Sequence, residues 1–319
     1  MNFKRKLLIL FLIFLFPLKA FALTKYVVPG GKNLGITIYN KGVLVVGFYD
    51  DLKSDLKVGD TIVSINDTSI SSINDMLKTI DTNSNTINLK IGYKRSNKLG
   101  YTTLKLTKDN NGVFKTGLYV KDSITGIGTL TFIDPSTNRY GALGHSITDS
   151  KTNIKFDVRD GKIFKSNVVG VDKSRDGYAG EKNAKFYFDT TYGTIDKNLE
   201  TGIYGTYNDD YNSDNLILVG DMESIKLGKA YIRTTLTANK IEEFEIEILE
   251  VNKTSETKNI LFQITDNNLI TKTGGIVRGM SGSPIIQDDK IIGAVTHTVV
   301  SDNTKGYGIS IIKMLESIK

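Results

Sequence analysis

Short apolar runs along residues 32–107 alternate between strand and helix patterns. Residues 42–47 are continuously apolar between two glycines, and residues 61–65 alternate apolar with polar side chains, so both stretches predict strands. Residues 73–80 instead place apolar side chains at i, i+3, i+4 and i+7, which predicts one face of a short helix. Strand-like alternation returns at residues 87–91. The order of these elements predicts a small α+β unit.

Beyond a polar, turn-rich linker at residues 108–118, the pattern is that of strands with long connections. Residues 243–248 alternate glutamate with Phe or Ile, which predicts a half-buried strand whose acidic outer face is solvated. Residues 311–318 have helical spacing. We therefore predict a second, mainly β domain over residues 119–319, built as two barrels or as a sandwich.

Residues 1–22 have the three parts of a secretory signal. Basic residues at positions 4–6 precede an apolar run at 7–16, and the sequence Ala-Phe-Ala at 20–22 supplies a small-x-small cleavage site. The apolar run is shorter than the roughly 20 residues that a spanning helix needs. An uncleaved membrane anchor and a buried N-terminal helix are the alternatives. The pattern predicts export from the cytoplasm.

Composition removes several kinds of chemistry. The chain of 319 residues has no Cys and only two His, His145 and His297, which excludes disulfides, thiolate nucleophiles and three-histidine metal sites. The formal net charge of +6 falls to +2 once the four basic residues of positions 1–22 are set aside. The remaining basic residues are scattered, which argues against a nucleic-acid partner. No metal or organic cofactor is expected.

The most informative stretch is Gly-Met-Ser-Gly-Ser-Pro at residues 279–284. Glycines around a serine permit a tight turn that exposes the hydroxyl and aims N–H groups into one small space. With the hairpin that follows it, the stretch resembles the nucleophile loop of chymotrypsin-like serine peptidases. That resemblance makes Ser281 the nucleophile and the N–H groups of Gly279 and Ser281 the oxyanion hole. The second strand of the hairpin would supply a substrate edge at Ala294, Val295, Thr296 and His297. A plain Gly/Ser turn is the alternative.

A serine hydroxyl needs a base that accepts its proton, and the chain offers two imidazoles. His145 follows Gly144 in a turn of small residues, which allows a close approach to the serine. His297 lies within a predicted strand, 16 residues past Ser281, where its ring is badly aimed for the hydroxyl. We predict His145 as the base and His297 as a structural or substrate-contacting residue.

The acid that orients the imidazole has the weakest signal in the sequence. Asp266 ends a predicted strand 15 residues before Ser281 and is our prediction. Asp149, Asp172 and Asp189 are rivals, although the position of Asp149, four residues past the histidine, better fits a helix or turn cap.

The N-terminal α+β unit resembles a PDZ domain. Residues 58–66 read Val-Gly-Asp-x-Ile-x-x-Ile-Asn, and residues 32–36 lie where PDZ domains place the loop that binds a peptide carboxylate. A peptide would add as a strand, with its terminal carboxylate near Leu34, Gly35 and Ile36. A generic α+β unit without a peptide site is the alternative.

Together these motifs resemble the stage IV sporulation protein B (SpoIVB) peptidases of endospore formers. The resemblance is carried by the PDZ-like unit and by residues 125–129, 140–145, 264–266 and 273–284. It implies a PDZ-like domain at 23–107 followed by a chymotrypsin-like double β-barrel at 119–319. Its catalytic set would be Ser281, His145 and Asp266.

The same resemblance implies a biological setting. The peptidase would be exported into the space between the forespore membranes, cleave itself, and activate a membrane-embedded signalling complex by cutting a membrane-anchored regulator. Two other functions stay open: a catalytically silent adaptor that binds peptide termini, and a quality-control serine peptidase of the HtrA kind. HtrA peptidases usually carry the PDZ domain after the protease, and here it comes first.

Overall fold

Strands dominate the structure, a computed structural model that describes residues 24–49, 54–82, 86–175 and 177–318. The predicted signal at residues 1–22 lies outside these ranges. No helix within them is long and apolar enough to cross a bilayer.

The first elements of the chain are six strands and one helix. In chain order they are β1 (Tyr26–Pro29), β2 (Asn33–Phe48), β3 (Thr61–Ile65), β4 (Thr68–Ser69), α1 (Ile73–Thr82), β5 (Asn88–Arg95) and β6 (Lys98–Lys105). A small hairpin and the strands of the first barrel follow: β7 (Thr107–Lys108), β8 (Phe114–Lys115), β9 (Leu118–Asp134), β10 (Arg139–Ala142), β11 (Val158–Asp172), β12 (Glu181–Thr194), β13 (Lys197–Leu199) and β14 (Gly202–Thr206).

The remaining elements form the second barrel and its attachments. They are β15 (Ile217–Val219), a 3₁₀ turn (Met222–Ser224), β16 (Gly228–Thr237), β17 (Lys240–Val251), β18 (Ile260–Ile264), α2 (Asn267–Thr273), β19 (Pro284–Gln287), β20 (Lys290–Val299), β21 (Asp302–Ser310) and α3 (Ile311–Glu316).

The PDZ-like unit has its own apolar core between α1 and a sheet. Val43, Ile62, Met76, Ile80 and Leu89 are among its buried members. The predicted helix begins where expected, since the Ser72 hydroxyl accepts a hydrogen bond from the N–H of Asp75 at 3.1 Å. Leu77 is the exception to the predicted apolar face, because its side chain is exposed.

The Val-Gly-Asp motif anchors this unit. Arg95 donates two hydrogen bonds to the buried carboxylate of Asp60, at 2.7 Å from Nε and 2.6 Å from Nη2. The N–H of Lys57 donates a third hydrogen bond to the same carboxylate, at 2.7 Å. A buried carboxylate needs such partners, so the aspartate in the motif is structural.

The first barrel is a ring of six strands in the order β2, β9, β10, β14, β12 and β11, with β11 pairing back onto β2. A bridge between Gly193 and Tyr207 joins the β12 and β14 sides. Its interior is filled by apolar side chains such as Leu34, Ile38, Leu130, Phe156 and Ile163.

The second barrel closes in the order β16, β17, β18, β21, β20 and β19, and β19 pairs with β16 again. The predicted alternation at residues 243–248 is confirmed, since Phe244, Ile246 and Ile248 are buried. Its acidic face carries cross-strand ion pairs, such as Lys229 with Glu245 at 2.7 Å. Helix α3 follows β21 and buries Ile311, Met314 and Leu315 against both barrels.

The structure corrects the predicted domain boundaries and the predicted PDZ peptide edge. The first half of β2 lies in the first barrel, and only residues 43–48 enter the PDZ-like unit. Gly35 pairs with Ile127 on one side and with Phe164 on the other, and Leu34 and Ile36 are buried. Since both edges of residues 34–36 are already paired, no peptide can add there as a strand. Residues 114, 115 and 118 of the predicted linker are likewise part of β8 and β9.

Candidate active site

Residues 278–283, here called the nucleophile loop, make a tight turn between α2 and β19. Gly279 and Gly282 both have a φ of +91°, a conformation that side chains with a Cβ rarely adopt. A Cβ on Gly282 would lie 2.1 Å from the carbonyl oxygen of Thr129. The glycines therefore let the loop press against β9 of the first barrel.

The front of the loop, which faces the cleft between the barrels, holds the serine. The Ser281 hydroxyl donates to the carbonyl of Thr296 on β20 at 2.9 Å. Within the described part of the chain, no hydrogen bond engages the backbone N–H of Gly279 or of Ser281. Two free N–H groups beside a serine are what an oxyanion requires.

His145 reaches the same cleft from the first barrel. The chain leaves β10 through Leu143 and Gly144, both in the left-handed region with φ of +70° and +71°. The Nδ1 of His145 lies 2.9 Å from the carbonyl oxygen of Ser146. Because a carbonyl only accepts, Nδ1 carries the proton, and the unprotonated Nε2 is left to serve as a base.

Burial lowers the pKa of His145 below its usual value, against a smaller opposing effect from the Ser146 hydrogen bond and the charge of Glu200. The ring of His297 lies 5.2 Å from that of His145, centroid to centroid. Desolvation, then the charges of His145 and Lys258, lower the pKa of His297 to about 4. Both imidazoles are therefore neutral near pH 7, the form that accepts a proton.

The cleft has a volume of about 670 Å³ and is lined by both barrels. Ser281, Gly279, His145, His297, Glu200, Leu143, Ile127, Arg278 and Lys258 are among its lining residues. No hydrogen bond in the described residues joins Ser281 to His145, because the hydroxyl is held by Thr296. Among those residues, no three His, Asp or Glu side chains are placed to hold a metal ion.

Glu200 is a cleft residue that sequence reasoning missed. It lies in the turn between β13 and β14, and its carboxylate accepts hydrogen bonds from the Ser146 hydroxyl at 3.1 Å and from Lys155 at 2.9 Å. The hydrogen bond and the charge of Lys155, then the Ser146 hydrogen bond and the charge of His145, lower the pKa of Glu200. No local motif marks this turn, so only the fold places a carboxylate beside the residue that orients the imidazole.

Asp266 is predicted to orient the His145 imidazole, but it binds elsewhere. Its carboxylate accepts the N–H of Leu269 at 2.9 Å and is the N-cap of α2, and it does not line the cleft. Asp149 is a turn cap as predicted: it accepts the N–H of Lys151 and of Thr152 and pairs with Lys121 at 2.5 Å. Asp172 at the end of β11 and Asp189 in β12 are both exposed.

Two of the four residues predicted as a substrate edge are already paired within the protein. Ala294 and Val295 are buried and paired, with Ala294 opposite Pro284 and Ile309 and the N–H of Val295 donating to Ser283. These two positions cannot pair with a substrate. The free edge begins at Thr296, whose carbonyl meets Ser281, and continues to His297 in the cleft.

Two β-barrels with a serine loop on one, an imidazole on the other and a cleft between them define a serine peptidase of chymotrypsin-like architecture. The family model described as SpoIVB peptidase S55 matches residues 112–315, more than half of the chain. The chain belongs to this family. No curated protein matches it in sequence.

Solved structures resemble parts of the chain. The PDZ domain of an SdrC-like protein from Listeria monocytogenes is 29% identical, with a TM-score of 0.23, over 26% of this chain and 90% of its own. The Rv3671c protease from M. tuberculosis in its active form is 13% identical, with a TM-score of 0.35, over 61% of this chain and 73% of its own. Its inactive form is also 13% identical, with a TM-score of 0.32, over 60% of this chain and 82% of its own.

Proposed function

We propose that this serine peptidase is an exported endopeptidase that cuts protein substrates in the cleft between its barrels. The observation that carries the proposal is that Ser281, His145 and two unengaged N–H groups line one cleft. Ser281 attacks the peptide carbonyl, and Nε2 of His145 accepts its proton and later gives it to the leaving amine.

Substrate itself would release the nucleophile. The Ser281 hydroxyl now donates to the Thr296 carbonyl, at the start of a stretch of β20 that does not pair with β19. An N–H of an extended substrate pairing with that carbonyl displaces the hydroxyl, which then turns to His145. The N–H groups of Gly279 and Ser281 receive the oxyanion that forms.

The imidazole is oriented from the first barrel. The Ser146 carbonyl fixes the tautomer of His145, and Glu200 holds the Ser146 hydroxyl and supplies negative charge to the imidazolium. Asp266, the acid implied by the family resemblance, would have to leave its place at the start of α2 to take this role. We therefore assign the orienting charge to Glu200.

The setting follows from the family and from the N-terminal pattern. We propose export into the forespore intermembrane space, self-cleavage, and cleavage of a membrane-anchored regulator that controls a signalling complex. The PDZ-like unit would hold a peptide terminus in the groove of about 790 Å³ between α1 and residues 113–120, rather than at residues 34–36. The same groove could serve the chain's own processed terminus.

Cleavage between copies tests this function. The purified Ser281→Ala variant should stay intact alone and be cut when wild-type protein is added. Ser283→Ala is the matched control, because the buried Ser283 hydroxyl has no hydrogen-bond partner among the described residues and should be dispensable. Self-cleavage by purified Ser281→Ala at the wild-type rate would refute the proposal.

A further inference from the structure

A buried lysine lies against the back of the nucleophile loop, the side away from the cleft. Lys182 on β12 is only 2% exposed, and no carboxylate in the described part of the chain forms an ion pair with it. Burial alone lowers the pKa of its amine to about 7. Burying an amine without an acidic partner lowers the stability of the fold. The Lys182 amine instead contacts two hydroxyl groups.

Those contacts join three parts of the molecule. The amine donates to the Thr234 hydroxyl of the second barrel at 2.9 Å and reaches the Thr129 hydroxyl of the first barrel at 3.5 Å. Thr129 in turn donates from its hydroxyl to the Gly279 carbonyl at 2.7 Å. The stem of Lys182 packs under Gly279, where a Cβ would lie 3.1 Å from Cδ.

The backbone of Lys182 holds the next peptide plane. Its N–H donates to the Arg278 carbonyl at 3.0 Å. In a trans peptide the carbonyl and the following N–H point in opposite directions. Fixing the Arg278 carbonyl toward Lys182 therefore turns the N–H of Gly279 toward the cleft, where it is free to bind an oxyanion.

We propose that Lys182 is a positioning residue for the oxyanion hole, acting through Thr129 and the Arg278–Gly279 peptide. The inference rests on the proposed function, because it assigns a role to a loop whose serine is the nucleophile. Lys182 does not touch substrate. Its backbone N–H holds the Arg278–Gly279 peptide, and its amine, through Thr129, holds the Gly279–Met280 peptide. With both peptides flanking Gly279 kept from rotating, the donor at Gly279 is in place before the substrate arrives.

Hydrolysis of p-nitrophenyl acetate tests the role, with Ser281→Ala as the blank and thermal unfolding measured in parallel. Lys182→Met keeps the volume but removes the amine. We expect a limiting rate roughly 10- to 100-fold lower, an unchanged half-saturating concentration, and an unfolding midpoint no lower than that of wild type. Lys185→Met, on the same strand but exposed, should behave as wild type.

Thr129 provides the second test. Thr129→Val should lower the limiting rate as Lys182→Met does, Thr129→Ser should retain it, and the double variant Lys182→Met/Thr129→Val should be no slower than the slower single one. Three results would overturn this inference and leave the proposed function standing. They are a Lys182→Met rate within twofold of an active wild type, a decrease in rate that matches a decrease in the folded fraction, and effects of the two substitutions that multiply in the double variant. Hydrolysis that persists in Ser281→Ala would overturn the proposed function with it.

Discussion

The front and the back of the nucleophile loop are built in opposite ways. On the back, the carbonyls of Gly279, Ser281 and Gly282 each accept a hydrogen bond from Thr129 or Thr131 of the first barrel. On the front, the N–H groups of Gly279 and Ser281 have no partner in the described residues. On the back these three carbonyls are engaged, and on the front these two donors are left free.

The difference shows how one barrel prepares the other for chemistry. The first barrel supplies His145 and Glu200 to the front of the cleft, and through β9 it also holds the loop from behind. The free donors need no rearrangement when charge forms on the substrate, because the carbonyls of their own peptides are held as well: that of Arg278 accepts from the N–H of Lys182, and that of Met280 from the N–H of Ser283. The second barrel contributes Ser281 and the Thr296 carbonyl, which accepts the hydrogen bond of the Ser281 hydroxyl.

Closing the space behind the loop should have the largest effect. Gly282→Ala would place a Cβ 2.1 Å from the Thr129 carbonyl oxygen, so the loop must move away from β9. We expect turnover to fall by roughly 10³-fold or more, because both oxyanion donors shift with the loop. Gly170→Ala is the control, since its nearest neighbour would be 3.9 Å away. Ester hydrolysis at wild-type rate in Gly282→Ala would contradict the role of the back contacts.

Removing the negative charge of Glu200 at the front of the cleft should have the next largest effect on turnover. Glu200→Gln keeps an acceptor for Ser146 and loses the negative charge near the imidazolium, so kcat should fall roughly 10- to 100-fold with KM unchanged. Asp266→Ala should instead lose about 1 kcal/mol of stability through the N-cap of α2 and keep kcat nearly intact. A kinetic defect confined to Asp266→Ala would reverse the assignment of the orienting acid.

A single back contact should matter less. Thr131 donates to the Gly282 carbonyl at 2.8 Å, and Thr131→Val would leave that buried carbonyl without this donor. We expect a stability loss of about 1–3 kcal/mol and a decrease in kcat of only a few-fold, since Thr129 still holds two carbonyls. Chemical denaturation and ester hydrolysis measure the two effects, and Thr131→Ser should restore both.

The smallest effect expected is a shift on the pH axis. Because burial lowers the pKa of His145 below 6.5, the acid limb of kcat/KM should have its midpoint below 6.5. The unfolded chain binds this proton more readily than the folded one, so stability also decreases as pH falls below about 6.5. An acid limb centred above 6.5 would mean that another group controls the activity.

The sequence singled out Ser281 and His145, which the structure brings to one cleft, because their signals are local. A Gly-Met-Ser-Gly-Ser-Pro turn and a chain with two histidines leave few choices. It failed where a position depends on the assembled fold. Strand β2 continues from the first barrel into the PDZ-like unit, and nothing in its own sequence shows that residues 34–36 are paired on both edges. Nothing in the sequence distinguishes Glu200 and Lys182 from other charged residues. Only the pairing of the strands brings Glu200 to the front of the loop and Lys182 to its back.

The most direct test of the account is the rate at which diisopropyl fluorophosphate modifies Ser281, followed by intact mass and peptide mapping. This small reagent needs no substrate preference, and the two histidines 5.2 Å apart provide a matched pair of variants. We predict that His145→Ala lowers the rate by roughly 10³-fold or more, while His297→Ala stays within tenfold of wild type. Loss of modification in His297→Ala with little change in His145→Ala would contradict the account.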